Sequence, residues 1–334
     1  MRIGIAGYYG QGNFGDELFL DTYKQVFHDH TVFPIIMHID KYKCDRIIVG
    51  GGDLIIPYSY NDFYFPAELA TLPYWVYGVG IVDFYPPETW PQTEVEKYRS
   101  IISTSQGLYV RDPNSERLAN YMKLNKVIKQ VPDIAFSFKQ PHFPIIKKVN
   151  KKNVGVCSFA YNEFPLEKMA KILSTLSSKE FQLSLIAVVD KRNTFSDFDT
   201  CRKLKERILF HNPHADVVIV DYKYLDVTYS HIQALDFLVS FKLHPSLVGI
   251  RNLVPTFCLS KLSKVRSLLN EFDLNEYYAD YDESEEILKG KLEHLLQNGQ
   301  ARLKQLSDKV KQVEKLSDVS LAALKNEIES AISK

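Results

Sequence analysis

A chain of 334 residues is long for one hydrophobic core, so two domains are the natural expectation. With 45% apolar and 25% charged residues the composition is globular, and the balance of 41 basic against 41 acidic residues argues against a general nucleic-acid or membrane-surface binder. No apolar run approaches the roughly eighteen residues of a spanning helix, and the N-terminus lacks the apolar stretch and cleavage site of a signal peptide.

The first element is "RIGIAG", a short β-type run ended by glycine, and "NFGDELFLDTYKQVFH" then has helical spacing at Leu18, Tyr23 and Phe27. Strands are expected at "HTVFPIIM", "DRIIVGGG", "YWVYGVGIV" and "GLYVRD", with a helix at "EVEKYRSIISTS". Another helix starts in "RDPNSERLANYM", where Asp112 suits an N-cap and Pro113 the first helical position. Residues 137–153 carry two prolines and five lysines with little periodicity, as a domain linker would. Beyond it the strands "VGVCSFA", "LSLIAVVD", "DVVIVDY", "DFLVSF" and "VPTFCLS" alternate with helices near 165–178, 196–211, 226–234, 244–251 and 262–271. Near-continuous apolar strands separated by helices indicate parallel sheets covered on both faces. The expected architecture is therefore α/β: two doubly wound Rossmann-like domains, 1–145 and 150–275, facing a cleft, followed by C-terminal helices over 283–334 that pack on the body. In that tail Leu303, Leu306, Val310, Val313, Leu316 and Val319 follow three-or-four spacing.

Ligands of open α/β sheets gather at the carboxyl ends of strands, and four stretches lie there. In "GYYGQGNFGDE", Gly7, Gly10, Gly12 and Gly15 sit between strand and helix, where backbone amides can meet an anion. Gly10, Gly12 and Gly15 also match the dinucleotide spacing G-x-G-x-x-G, whose acidic partner would be Asp40. Asp16 either favours the helix dipole or serves the site. In "IIVGGGDLI", Gly50, Gly51 and Gly52, followed by Asp53, form either a ligand loop or a tight turn. Arg111 leaves a strand just before the capped helix; its fork suits a carboxylate or phosphate, or a surface pair with Asp112 or Glu116. In "DFLVSFKLHPSLVGI", Lys242 and His244 straddle the exit of a buried strand, a placement suited to an anionic substrate and proton transfer. The cysteines Cys44, Cys157, Cys201 and Cys258 are widely spaced, without metal-ligand spacing, and read as free thiols.

Taken in order, "GYYGQGNFGDE", "VGGGDLI", "VRDPNSERL…VPDIAF" and "SFKLHPSLVGI" resemble the polysaccharide pyruvyl transferase family over residues 1 to about 260. The resemblance implies a GT-B-like fold and transfer of the pyruvyl group of phosphoenolpyruvate onto two hydroxyls of a sugar in a cell-surface polysaccharide, such as an exopolysaccharide, capsule or cell wall, or in its lipid-linked precursor. Lys242 stands where the family has arginine, keeping the charge and losing the bidentate fork. In this scheme His244 is the general acid, Asp16 orients or deprotonates an acceptor hydroxyl, and Arg111 and Lys242 meet the donor's anionic groups. Gly12, Asn13, Gly15, Gly50, Gly51, Gly52, Asp53 and Ser246 are the remaining expected substrate-binding positions. No metal and no cofactor is expected, phosphoenolpyruvate being a substrate. The expected partners are that donor and a glycan acceptor, free or lipid-linked, with no nucleic acid, at most peripheral membrane contact, and further copies of the chain allowed. The expected location is the cytoplasm, including the inner face of the membrane. The competing readings are a nucleotide-sugar glycosyltransferase, with Asp221 or Glu163 at a ribose, a non-catalytic carbohydrate-binding relative, and a dinucleotide-dependent dehydrogenase. The aromatic run "PYSYNDFYF", residues 57–65, is either a sugar platform or loop packing.

Overall fold

The computed structural model describes residues 1–36, 44–141, 143–146, 148, 150–160, 163–176, 178–194 and 196–331. Asp40, Met37 at the end of the second expected strand, and residues 332–334 of the expected tail lie outside them. The chain divides into two compact units: unit 1 is Met1–Gly10, Gly15–Lys139 and Gln312–Lys334, and unit 2 is Gln11–Phe14 and Gln140–Lys311.

Unit 1 is built on β1 (Arg2–Ala6), β2 (Thr31–Ile35), β3 (Arg46–Gly50), β4 (Tyr74–Val79), β5 (Leu108–Val110) and β6 (Ile128–Gln130), all parallel in the order β2-β1-β3-β4-β5-β6. Its helices are α1 (Phe14–Val26), α2 (Gln92–Ile102) and α3 (Pro113–Met122). Strands β3 and β4 are buried at every position, as expected of a sheet covered on both faces. Helix α3 starts as its sequence dictates: the Asp112 carboxylate accepts from Ser115 N at 2.8 Å, and Pro113 takes the first turn.

Unit 2 repeats the plan with β7 (Lys152–Cys157), β8 (Phe181–Ile186), β9 (Val217–Val220), β10 (Phe237–Ser240), β11 (Thr256–Leu259) and β12 (Tyr278–Ala279), ordered β12-β11-β10-β7-β8-β9 and parallel. Between them run α4 (Leu166–Ser174), α5 (Phe198–His211), α6 (Leu225–Gln233), α7 (Leu243–Arg251) and α8 (Ser263–Glu271), with α9 (Glu285–Lys304) following; α10 (Ser307–Ser330) starts in unit 2 and from Gln312 on belongs to unit 1.

The chain's direction across each sheet reverses once. In unit 1 the reversal lies between β1 and β3, and in unit 2 between β7 and β10. Each switch point opens a crevice at the carboxyl edge of its own sheet.

The tail helices obey the expected spacing only in part. Leu303, Leu306, Val310 and Val313 are buried. Leu316 and Val319 are 49% and 58% exposed, and the buried face continues instead through Ser317, Leu321, Leu324 and Ile328. Steps of four from Val313 to Ser317 and on to Leu321 hold one face, and Leu316 and Val319 fall beside it. A serine carries the stripe because Ser317 Oγ meets Ser137 Oγ at 2.7 Å, so the buried hydroxyl is satisfied.

Candidate functional site

At the unit 1 switch point, β3 runs into Gly51 and Gly52, both at positive φ (+77° and +74°). A Cβ on Gly52 would stand 3.0 Å from Asp16 Oδ1, so this glycine lets the Asp16 carboxylate lie against the backbone. Gly52 O accepts from Gly80 N at 2.8 Å, which ties the loop to the end of β4. Gly15 begins the unit 1 part of α1, with Asp16 and Glu17 in its first turn. Gly50 O accepts from the Tyr9 hydroxyl.

Arg111 follows β5 with a side chain only 3% exposed, and its guanidinium donates to Asp53, whose side chain is 26% exposed. The local expectation of a surface pair with Asp112 or Glu116 gives way to this buried pair, with Asp112 standing off at 4.0 Å. Burial pushes the guanidinium's pKa down, and the charges of Asp53, Asp133, Asp112 and Asp16 outweigh it and hold it above its ordinary value. Four carboxylates around one cation give this crevice an acidic character. The 57–65 run divides: Tyr60 and Phe65 pack on Tyr98 at ring separations of 4.8 and 5.3 Å, whereas Phe63 is exposed.

At the unit 2 switch point, β10 ends at Ser240 and α7 begins directly after Lys242. The Lys242 carbonyl accepts from Ser240 Oγ at 2.9 Å and Ser246 Oγ at 2.7 Å, both serines being fully buried. Ser246 thus commits its hydroxyl to locking the helix start. His244 lies in the first turn of α7, half-buried. The Lys242 side chain is 23% exposed, and its Nζ donates to Asp197 Oδ1 and Oδ2 at 2.9 and 2.8 Å. Asp197 is completely buried.

Gly12 and Asn13 belong to unit 2, where residues 11–14 are stitched to the segment after β8. Asp190 N donates to Gly12 O at 2.8 Å, Phe14 N to Val188 O at 2.9 Å, and Asn13 bridges Val189 in antiparallel sense. A Cβ on Gly12 (φ +69°) would lie 2.4 Å from Asp190 Cβ, so glycine is required by this close approach. Asp190 in turn chelates Arg192, at 2.9 Å to Nε and 2.6 Å to Nη2.

The expected site residues therefore divide between the units, with Gly15, Asp16, Gly50, Gly51, Gly52, Asp53 and Arg111 in unit 1, and Gly12, Asn13, Lys242, His244 and Ser246 in unit 2. Sequence reasoning missed Asp197. An aspartate just before a helix reads as an N-cap, yet its side chain makes no capping bond here. It also missed the ring cluster of Phe159, Phe164, Phe241 and Tyr281 beside the ends of β7 and β10.

The family model described as "Polysaccharide pyruvyl transferase" matches residues 13–261. The chain belongs to the polysaccharide pyruvyl transferase family. A search of curated proteins returns no match. Among solved structures, sucrose-phosphate synthase from Thermosynechococcus elongatus is similar with a TM-score of 0.68 at 10% identity, covering 99% of this chain and 100% of that one. UDP-GlcNAc 2-epimerase from Neisseria meningitidis, solved with UDP-GlcNAc, gives 0.62 at 11% identity over 99% and 100%. Anabaena HepE in complex with UDP and glucose gives 0.62 at 12% identity over 99% and 100%. At such identity the likeness is one of fold: this family member has the GT-B-like arrangement of two parallel six-stranded sheets with helices. Among the described residues no helix is long and apolar enough to cross a membrane.

Proposed function

We propose that this family member transfers the pyruvyl group of phosphoenolpyruvate to two hydroxyls of a sugar, releasing phosphate and leaving a pyruvate ketal. The observation that carries the reading is the partly exposed Lys242 side chain two positions before half-buried His244, at the switch point of unit 2. Phosphoenolpyruvate brings a carboxylate and a phosphate, so a fixed cation is the first need. His244 donates a proton to the methylene carbon, and the carbon bearing the phosphate becomes oxocarbenium-like. A sugar hydroxyl adds there and loses its proton. The bond to phosphate oxygen then breaks, and a second hydroxyl adds to the same carbon, closing the ketal.

The acidic crevice of unit 1 suits hydroxyl groups better than a second anion. Asp16 accepts a proton from, or orients, an acceptor hydroxyl, and Arg111, expected from the sequence to meet the donor, is instead given to holding the Asp53 carboxylate. Tyr58 and Tyr64 flank these acids; burial and nearby charge, that of Asp53 at Tyr58 and of Asp16 at Tyr64, raise both phenols, Tyr64 to about 12, so both stay neutral hydroxyls near pH 7. The acceptor is a glycan, free or lipid-linked, handled from the cytoplasmic side.

The test is phosphate release from phosphoenolpyruvate with a panel of glycan acceptors. Replacement of His244 by alanine should lower turnover by about 100- to 10,000-fold while the protein stays folded; full turnover in a folded His244→Ala protein ends its role as acid. Uridine diphosphate serves as the comparison ligand, because Anabaena HepE, of this fold, is solved in complex with it. A melting-temperature rise with uridine diphosphate and none with phosphoenolpyruvate would replace the reading with glycosyl transfer.

A further inference from the structure

Among the described residues no charged side chain is buried more completely than Asp197, which has no exposed surface. Such a carboxylate is costly unless it is paired and hydrogen-bonded. Asp197 follows β8 and opens α5, where a carboxylate would ordinarily cap the helix; it makes no cap bond. Instead Oδ2 accepts from Val188 N at 3.2 Å, and both oxygens hold Lys242 Nζ. Sheet order places β7 between β8 and β10, so this bond spans the carboxyl end of β7 at the switch point.

Lysine carries its charge on a flexible four-carbon stem with three rotatable N–H groups. Two of them are taken by Asp197, and the third has no hydrogen-bond partner among the described residues. We infer that Asp197 is a positioning residue: by gripping the Lys242 ammonium with both carboxylate oxygens, it fixes the one remaining N–H for an anionic oxygen of the donor. The inference rests on the donor chemistry proposed above. A lysine held at two points regains the fixed direction that arginine would obtain from its rigid fork.

Besides His244, two residues on from Lys242, titratable groups near the pair include Cys157, Cys201 and Asp221. Burial pushes both thiols up, Cys201 to about 12, so neither competes as a thiolate for the ammonium near neutral pH. Asp221 stands 3.7 Å from Lys191, which answers its charge.

The experiment has two readouts on the full chain. The first is the phosphoenolpyruvate dissociation constant, taken from ligand-dependent melting temperatures, for wild type, Asp197→Asn, Lys242→Ala and the double variant. Loss of Asp197 should weaken binding roughly tenfold, within the range of couplings between contacting residues, and cause no further loss in the Lys242→Ala background. Unchanged affinity in Asp197→Asn overturns the inference, and so does a loss that persists undiminished in Lys242→Ala. The second readout is labelling of lysines by an amine-reactive ester, followed by peptide mass. In wild type, Lys242 should label more slowly than Lys139, which is 65% exposed, and Asp197→Asn should speed it. Labelling of Lys242 as fast as Lys139 in wild type overturns the anchor even where Asp197→Asn fails to fold. Wild type that binds no phosphoenolpyruvate defeats the donor reading, and the labelling then decides the anchor on its own.

Discussion

Each unit places a cation–carboxylate pair at its switch point, and the two pairs are inverted. In unit 1 the cation is inside: Arg111 is 3% exposed and its partner Asp53 is 26% exposed. In unit 2 the carboxylate is inside: Asp197 is fully buried and Lys242 is 23% exposed. The group a pair shows to solvent decides what it attracts. In the proposed function the Asp53 side of unit 1 meets acceptor hydroxyls and the Lys242 side of unit 2 meets the donor's anion. The same sheet plan, ended by opposite arrangements of one ion pair, offers two chemically distinct crevices.

The inversion can be broken most severely in unit 1. Arg111→Ala leaves Asp53 and Asp133 beside a buried void with no guanidinium, and removing one partner of a buried pair costs about 3–5 kcal/mol. Urea unfolding should show a loss of that size, and a loss under about 1 kcal/mol would mean that water or another cation already screens these acids. Lysine at 111 should recover part of the loss, since it restores charge without the fork.

Lys242→Ala should cost less at acid pH than at neutral pH. Burial raises the Asp197 carboxyl above its ordinary value, opposed by Lys242 and the backbone amides of Val188 and Val189. Without Lys242 the folded-state pKa rises further. Below the unfolded carboxyl's pKa both states hold the proton, and the orphaned group carries no ionisation penalty. Above it the unfolded state gives up its proton and the folded state retains it, so stability falls as pH rises until the folded carboxyl also ionises. A melting curve of Lys242→Ala relative to wild type should therefore worsen as pH rises above about 4, and Asp197→Asn added to it should flatten that slope. A pH-independent difference would mean that Asp197 is charged and solvated in the variant.

Gly52→Ala sharpens the contrast with a smaller change. Alanine at φ +74°, with its Cβ 3.0 Å from Asp16 Oδ1, combines left-handed strain of about 1–2 kcal/mol with displacement of that carboxylate. Acceptor-dependent turnover should fall while phosphoenolpyruvate affinity holds. A parallel fall in donor affinity would mean that Asp16 contributes to donor binding.

Much of the fold was legible in the sequence. Helices expected at 226–234 and 262–271 occur at Leu225–Gln233 and Ser263–Glu271, because apolar strands alternating with helically periodic segments leave local signals. Asp112 and Pro113 act as their types demand. The pairs were not legible. Arg111 and Asp53 are 58 positions apart, and Lys242 and Asp197 are 45 apart; only sheet order brings them together. Placement of residues 11–14 against 188–190 was hidden for the same reason, since a glycine required by Asp190 looks in sequence like one kept for a ligand. The drift of the buried stripe in α10 onto Ser317 depended on a hydroxyl partner, Ser137, 180 positions away.

A third ion pair supplies the reference against which both switch-point pairs are judged. Asp216, just before β9 and away from the carboxyl edge, accepts from Lys148 Nζ at 2.7 Å and Lys151 Nζ at 2.6 Å. Burial pushes its carboxyl up, but the bonds from Lys148, Lys151 and Gln182 outweigh it and hold the pKa at about 2. A depressed folded-state pKa gives stability that is present above the unfolded value and is lost as pH falls through the window from 3.8 towards about 2. With Lys148 itself 53% exposed, solvent screening limits the contribution to about 1 kcal/mol. Asp216→Asn should lower the melting temperature slightly at neutral pH, lose that deficit as pH falls towards about 2, and respond to added salt. The Lys242–Asp197 pair, with its carboxylate wholly out of water, should hardly respond to salt at all. Equal salt sensitivity of the two pairs would place Asp197 in contact with solvent and dissolve the inversion on which the proposed assignment of acceptor to unit 1 and donor to unit 2 rests.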